Sequence, residues 1–252
     1  MAFVFGTGTR VWMDGKQAAC VINDITQDAE LDEAEVTTLC STLKDYIPGL
    51  AEVTIELEGY FDTNTASPAT TMEALFHSKI SNQDVFPITF APEGGADTGD
   101  PVYMMNGFLQ EYSIENTVDE AAAVEATMRC SSALARGRIV ENGATARTAT
   151  GNAGTVVNTN VLDNTTSTTN GGVAVLQVFA VSGTTPSATI VLQHSADNVT
   201  YTDLATFPAK TAVDGEYKEV AAGTTVNRYL RARWTISGTT PSFNFNLGFK
   251  RS

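Results

Sequence analysis

The hexapeptide Ser-Gly-Thr-Thr-Pro-Ser stands twice in this chain, at 182–187 and again at 237–242, each time between two apolar runs. Before the second copy, Leu230, Ala232, Trp234 and Ile236 alternate with Arg231, Arg233 and Thr235; after it, Phe243, Phe245, Leu247 and Phe249 alternate with Asn244, Asn246 and Gly248. A period of two puts successive side chains on opposite faces, so both stretches read as half-buried strands. VAVLQVFAV and ATIVLQHS flank the first copy in the same manner. Gly tolerates positive φ, Ser and Thr bond nearby backbone groups, and Pro holds the chain extended, so SGTTPS reads as a strand-to-strand connection. Two such connections predict two similar hairpins, one in each sheet of an immunoglobulin-like or jelly-roll-like sandwich.

A chain of 252 residues, 42% apolar and 17% charged, has room for two domains with separate cores and is no disordered polyelectrolyte. Nowhere does an uncharged apolar run approach the roughly 20 residues of a membrane span, and MAFVFGTGTR lacks the basic start of an export signal. A soluble protein made in a cytoplasm, with no membrane partner, is expected. Cys20, Cys40 and Cys130 have no Cys-x-x-Cys spacing, which points to buried apolar residues rather than to a disulfide framework or zinc site. His194-Ser195-Ala196-Asp197 collects triad residue types, but neighbours on a strand face opposite ways, so a polar turn is expected. His77 stands alone, and Gly6-x-Gly8 lacks the rest of a nucleotide-binding loop. Neither enzyme nor cofactor nor metal is expected.

Charge divides the chain. Residues 1–150 carry 23 Asp and Glu against 8 Lys and Arg, whereas residues 151–252 carry 6 against 7. So acidic a first half does not attract nucleic-acid phosphates. Between the halves, ENGATARTATGNAG reads as a flexible linker. The expected domains are 1–148, a linker at 149–152, and a sandwich at 153–252.

In the first half, AACVINDIT reads as a strand, followed by an acidic loop from Gln27 to Glu35 that carries Asp28, Glu30, Asp32, Glu33 and Glu35. Val53, Ile55 and Leu57 alternate with Thr54, Glu56 and Glu58, a clear half-buried strand. Thr70 with Glu73 forms a capping box for a short helix through Met72, Leu75, Phe76 and Lys79. Strands return at DVFPITFAP, VYMMNGFLQEYSIEN and AAAVEATMRCSS.

This order resembles the tail tube (major tail) proteins of long-tailed bacteriophages over about residues 9–131: an early strand pair with a long loop, then Lys44-Asp45-Tyr46-Ile47-Pro48-Gly49-Leu50, a strand ending Gly59-Tyr60-Phe61-Asp62, a helix, and the remaining sheet. The resemblance implies a mainly β fold: an N-terminal tail-tube-like β-sandwich or barrel with one flanking helix, plus a C-terminal β-sandwich on the exterior. It implies a structural virion protein, assembled in the host cytoplasm. Homohexameric rings would stack, with tape measure, tail tip and tail terminator proteins as partners and DNA passing without specific binding. Strand alternation then nominates Glu56, Glu58, Glu111 and Glu125 for the lumen, with Ser113, Glu115 and Thr127 beside them, and the acidic loop for contact between rings, against basic residues such as Arg10, Lys16, Arg129, Arg136 or Arg138. Two other readings fit the composition. One is a capsid decoration or neck protein; the other is a carbohydrate-binding module stacking sugars on Tyr201, Trp234 or Tyr229, although alternation puts Trp234 in a core.

Overall fold

The computed structural model describes residues 8–18, 22–38, 40, 42–61, 72–154 and 161–252. The Thr70 cap, all of DTNTASPA and Cys20 lie outside them. Among them the chain is mainly β, with one helix. Its contacts form two units: Met1–Cys20, Phe86–Asn106 and Leu134–Ser252 make the first, and Val21–Val85 with Gly107–Ala133 the second. The division does not fall at 149–152, because residues 134–141 and 86–106 belong with the C-terminal strands.

The first unit contains β1 (Arg10–Met13), β2 (Lys16–Gln17), most of β5 (Val85–Ala91), the start of β6 (Pro101–Glu115), β8 (Ala135–Glu141), β9 (Gly151–Asn152), β10 (Leu162–Asp163), β11 (Gly172–Ser195), β12 (Thr202–Thr206), β13 (Asp214–Val220) and β14 (Tyr229–Arg251). Their order is β12-β11-β14-β8-β6-β5-β1-β2, with β13 also on β11 and β9 and β10 also on β14. Asp14 and Gly15, both at positive φ, form the two-residue turn that joins β1 to β2. Gln177, fully buried on β11, accepts from the Gly15 amide at 2.6 Å and donates to the Pro87 carbonyl at 3.1 Å and to Thr89 at 3.2 Å.

The duplicated hexapeptide is not a connection. Both copies lie in the middle of long strands, and the strands pair with each other through them: Ser182 opposite Ser242, Thr184 opposite Thr239, Ser187 opposite Ser237. Register shifts break the ladder on both sides of Thr184, as β-bulges do. Each copy repeats the other's backbone, with Gly183 and Gly238 at φ 114° and 121° and Thr185 and Thr240 at 48° and 47°. A Cβ on Gly183 would stand 2.7 Å from the Thr240 oxygen, and one on Gly238 would stand 2.8 Å from the Thr185 oxygen. The sequence is duplicated because the segment packs against its own copy about a local two-fold axis, and each half needs the same left-handed residues.

One core takes residues from before and after the repeats: Leu176, Val178, Ile190 and Leu192 of β11 with Trp234, Phe243, Phe245 and Leu247 of β14. Trp234 is thus a core residue, with its ring 5.8 Å from that of Phe245. The alternation after the second repeat is only half of the story, because Asn246 is as buried as its neighbours. On the other face of β11, Val175 joins a second cluster with Trp12, Ala91, Val102, Met104 and Ile139.

The expected linker is bonded to β14. Arg147 and Phe243 exchange both backbone bonds, at 2.8 and 3.0 Å. Gly151 and Asn152 pair with Trp234 and Arg233, and the Ala153 amide donates to Ala232. Arg147 also reaches the buried Glu141 carboxylate at 2.7 Å and lies over the Trp234 ring at 4.5 Å. Its small polar residues are ordered because their backbone bonds and one arginine replace the apolar side chains they lack.

The second unit holds β3 (Ile22–Glu35), β4 (Tyr46–Tyr60), α1 (Met72–Asn82), the end of β6, and β7 (Ala123–Cys130). The antiparallel order is β3-β4-β7-β6. Val53, Ile55, Leu57, Leu109, Val124, Ala126 and Met128 are buried, as are Met72, Leu75 and Phe76 of α1. The Phe76 ring lies 5.6 Å from that of Tyr112. Burial, with the nearby Glu73 carboxylate adding to it, pushes the Tyr112 hydroxyl up to about 12. The acidic segment from Gln27 to Glu35 is strand rather than loop: β3 runs through it, paired with β4 as far as Glu35 opposite Tyr46. Cys40 is exposed, contrary to expectation, whereas burial pushes the Cys130 thiol up to about 12.

Candidate functional site

Residues directly opposite in an antiparallel ladder project from the same face. The register therefore assembles one acidic face on the second unit. Across it run Asp24, Glu58, Glu125 and Ser113 in one row, and Thr26, Glu56, Thr127 and Glu111 in the next. Glu56, Glu58, Glu111 and Glu125, nominated from alternation alone, are all exposed and share this face. None has an ion-pair partner among the described residues. The opposite face of the same strands is the one that carries the buried residues Val53, Ile55, Leu57, Val124, Ala126 and Met128.

The same face continues along the β3–β4 hairpin. Asp28 stands opposite Thr54, and Glu30 opposite Glu52, in step with Glu56 and Glu58. Two of the five acidic-segment candidates thus join the four sheet candidates. Glu33 and Glu35 follow a register shift and oppose Pro48 and Tyr46. Lys44 lies 3.0 Å from Glu35 and, with Thr37, holds that carboxyl below its usual range. Arg129 pairs within the sheet with Glu52 at 2.5 Å and bonds Gln110. Asp24 and Glu52 belong to this face and were not nominated; the alternation Asp24, Thr26, Asp28, Glu30 was the signal for them.

Beyond Val53 the hairpin is exposed on both faces, including large apolar residues: Leu31, Tyr46, Ile47 and, at 81% exposure, Leu50, with Leu43 at 82% between the strands. An acidic ribbon carrying exposed leucines has no core of its own to cover them. Among the described residues β3 is paired on one side only, by β4. Its other edge presents backbone groups to whatever comes beside it.

The remaining candidates have structural roles. Asp197 accepts from the Val199 and Thr200 amides at 2.9 and 2.8 Å and from the Ser195 hydroxyl at 2.8 Å. These bonds, the Thr200 amide first, hold its carboxyl at about 2, as in a capped turn. His194 Nδ1 accepts from the Asn227 amide at 3.1 Å, and burial lowers its pKa. The aromatics proposed for sugar stacking are covered: Arg231 lies 3.7 Å over Tyr201 and Arg228 lies 4.7 Å over Tyr229. Among the described residues no group of three His, Cys, Asp or Glu is placed to hold a metal ion, and no helix is long and apolar enough to cross a membrane.

No family model and no curated protein sequence matches the chain. Solved structures do. A chain of the virion of a native gene transfer agent particle matches over 52% of this chain and 97% of its own, with a TM-score of 0.43 and 12% identity. The SPP1 tail tube matches over 51% and 76%, at 0.41 and 7%. The SPP1 Dit protein, described as a hub adsorption apparatus, matches over 96% and 98%, at 0.34 and 10%.

Proposed function

We propose that this chain is a structural subunit of a phage tail tube, in which six copies close a ring, rings stack, and the acidic face of the second unit lines the conduit for DNA. The observation that carries the reading is the in-register set of carboxylates without an ion pair among the described residues, Asp24, Glu56, Glu58, Glu111 and Glu125, on the exposed side of one sheet. A wall of carboxylates offers phosphates no adhesive contact, so a duplex slides past without being held. The edge of β3 that no described strand covers and the exposed leucines of the hairpin support assembly, since ring closure pairs an open edge and buries apolar surface. The hairpin segment with Asp28, Glu30, Asp32, Glu33 and Glu35 makes the contact between rings, and residues 153–252, with the strands of the first unit that pair with them, lie on the exterior. Tape measure, tail tip and tail terminator proteins are the partners, and the virion is the place of function.

Electron microscopy of the purified protein tests this. Rings or hollow tubes are expected at high concentration or with a tail-tip initiator, and shortening the hairpin between Gln27 and Leu50 leaves a folded protein that no longer elongates. A species that stays monomeric in solution and in virions refutes the reading.

A further inference from the structure

Fifteen lysines and arginines serve a chain of net charge −14, so carboxylate partners are plentiful. Lys44, Lys79, Arg129, Arg147, Lys210 and Arg228 all have one. Arg231, Arg233 and Lys218 have no ion pair with a carboxylate among the described residues, and neither have Arg136, Arg138, Lys250 and Arg251. The last four line a single cleft of about 150 Å³ in the first unit, with Gly137, Phe249 and Asn164. Arg136 and Arg138 stand two residues apart on β8, and Arg138 is opposite Phe249 of β14, next to Lys250 and Arg251.

We propose that this cleft is an oxyanion site that takes a phosphoryl group, free or esterified. Arg136, Arg138 and Arg251 stand at alternate positions of two paired strands and share one face, around a volume suited to one tetrahedral anion with some water. The Arg136 and Arg138 guanidiniums offer it charge-assisted, partly bidentate bonds, and Arg251 adds its charge. Arg251 is already held in place, because its two terminal nitrogens donate to the Thr166 and Asn164 carbonyls, so little ordering remains to be done on binding. The Asn164 side-chain nitrogen is buried beside it and has no acceptor. Burial first, and the neighbouring Arg138 charge second, lower the Arg251 pKa. The cleft is formed within the first unit, by none of the residues of the acidic face, and the proposal does not rest on ring assembly.

The test is a titration of the full-length protein, kept dilute, with inorganic phosphate and separately with glycerol phosphate, followed by amide NMR shifts at matched ionic strength. Saturable shifts at Gly137, Arg138 and Lys250 are expected, weakened about tenfold by Arg138→Gln through loss of one charge-assisted contact. Arg136→Gln serves as the second variant, since Arg136 is exposed and its loss leaves folding intact. Tighter binding of the ester identifies a phosphorylated polymer or metabolite as the source; equal or weaker binding identifies the free ion. The proposal is overturned if sodium chloride gives the same shifts, or if both variants bind like the wild type. It is also overturned if the cleft amides respond to protein concentration instead and lose that response when the β3 carboxylates are neutralised, which would make a second copy the occupant.

Discussion

Arg147→Met is the most direct probe of the segment that composition alone marks as a flexible linker. In the fold, the Glu141 side chain is 1% exposed and that of Arg147 is 18% exposed, at a separation of 2.7 Å. Removing the arginine strands a carboxylate in the interior, at a cost of about 3–5 kcal/mol. The guanidinium over Trp234 contributes about 0.5–2 kcal/mol of that total, a part that methionine partly restores by packing. Glu141→Leu alone leaves a charge that can reach water, so about 1–3 kcal/mol is expected. Replacing both partners leaves no buried charge, and the double variant should lie within about 1 kcal/mol of the wild type. The coupling in a double-mutant cycle, read from urea unfolding with unchanged m-values, is then at least about 3 kcal/mol. Limited trypsinolysis gives a second readout: the bond after Arg147 resists cleavage in the wild type and is cut early in Glu141→Leu. A cost below about 1 kcal/mol for Arg147→Met, with coupling near zero, refutes the strap and restores a linker.

Three further outcomes are expected. Gly183→Ala and Gly238→Ala each force a Cβ against a carbonyl at positive φ and lose about 1–3 kcal/mol, equal within about 0.5 kcal/mol because the sites are two-fold mates; unequal losses in thermal unfolding would break the symmetry argument. Burial lowers the Lys210 pKa, but its bonds to Asp214 at 2.6 Å and Glu216 at 2.7 Å outweigh this and raise it, so its stabilising contribution is complete below its ordinary value of about 10.4 and is lost as pH rises through the higher folded value; Lys210→Met should flatten that alkaline limb of a stability–pH curve, and a limb unchanged by the substitution rejects the assignment. Changing Glu56 and Glu58 together to lysine leaves Val53, Ile55 and Leu57 untouched and permits assembly, but slows DNA passage at low salt and less at high salt, while glutamine at both positions is nearly silent; normal ejection by the lysine variant at low salt removes this face from the conduit.

What could be read from the chain was what is local. The alternation at 53–58 and the stripe of Met72, Leu75 and Phe76 each need one periodicity, and both stand in the fold as β4 and α1. The Asp14-Gly15 turn carried an equally local signal that went unused. Residues 27–35 misled because both faces of that strand are exposed, so no apolar half marks the period; only pairing with β4 makes it strand. The hexapeptides misled for a related reason. Gly, Thr and Pro are turn residues in any single copy, and their use as a bulge appears only when a segment 55 residues away supplies the other half. Residues 142–152 look like a linker because the bonds that hold them are made by backbone groups, which composition does not record.

The acidity of the first half can now be weighed as a distribution instead of a sum. Solubility needs only net charge, and carboxylates scattered over loops would supply it. Here Asp24 faces Glu58 and Glu58 faces Glu125 across adjacent strands, and each such like-charge pair costs about 0.2–1 kcal/mol. Glu30 faces Glu52 in the same way, relieved on one side by Arg129. Threonine at any of these positions would keep the strand and remove the repulsion, and Thr26, Thr54 and Thr127 show that the face accepts it. Repulsion retained in register, on a face whose reverse is buried, is what a surface selected for its field would show, and a surface selected for solubility alone would not.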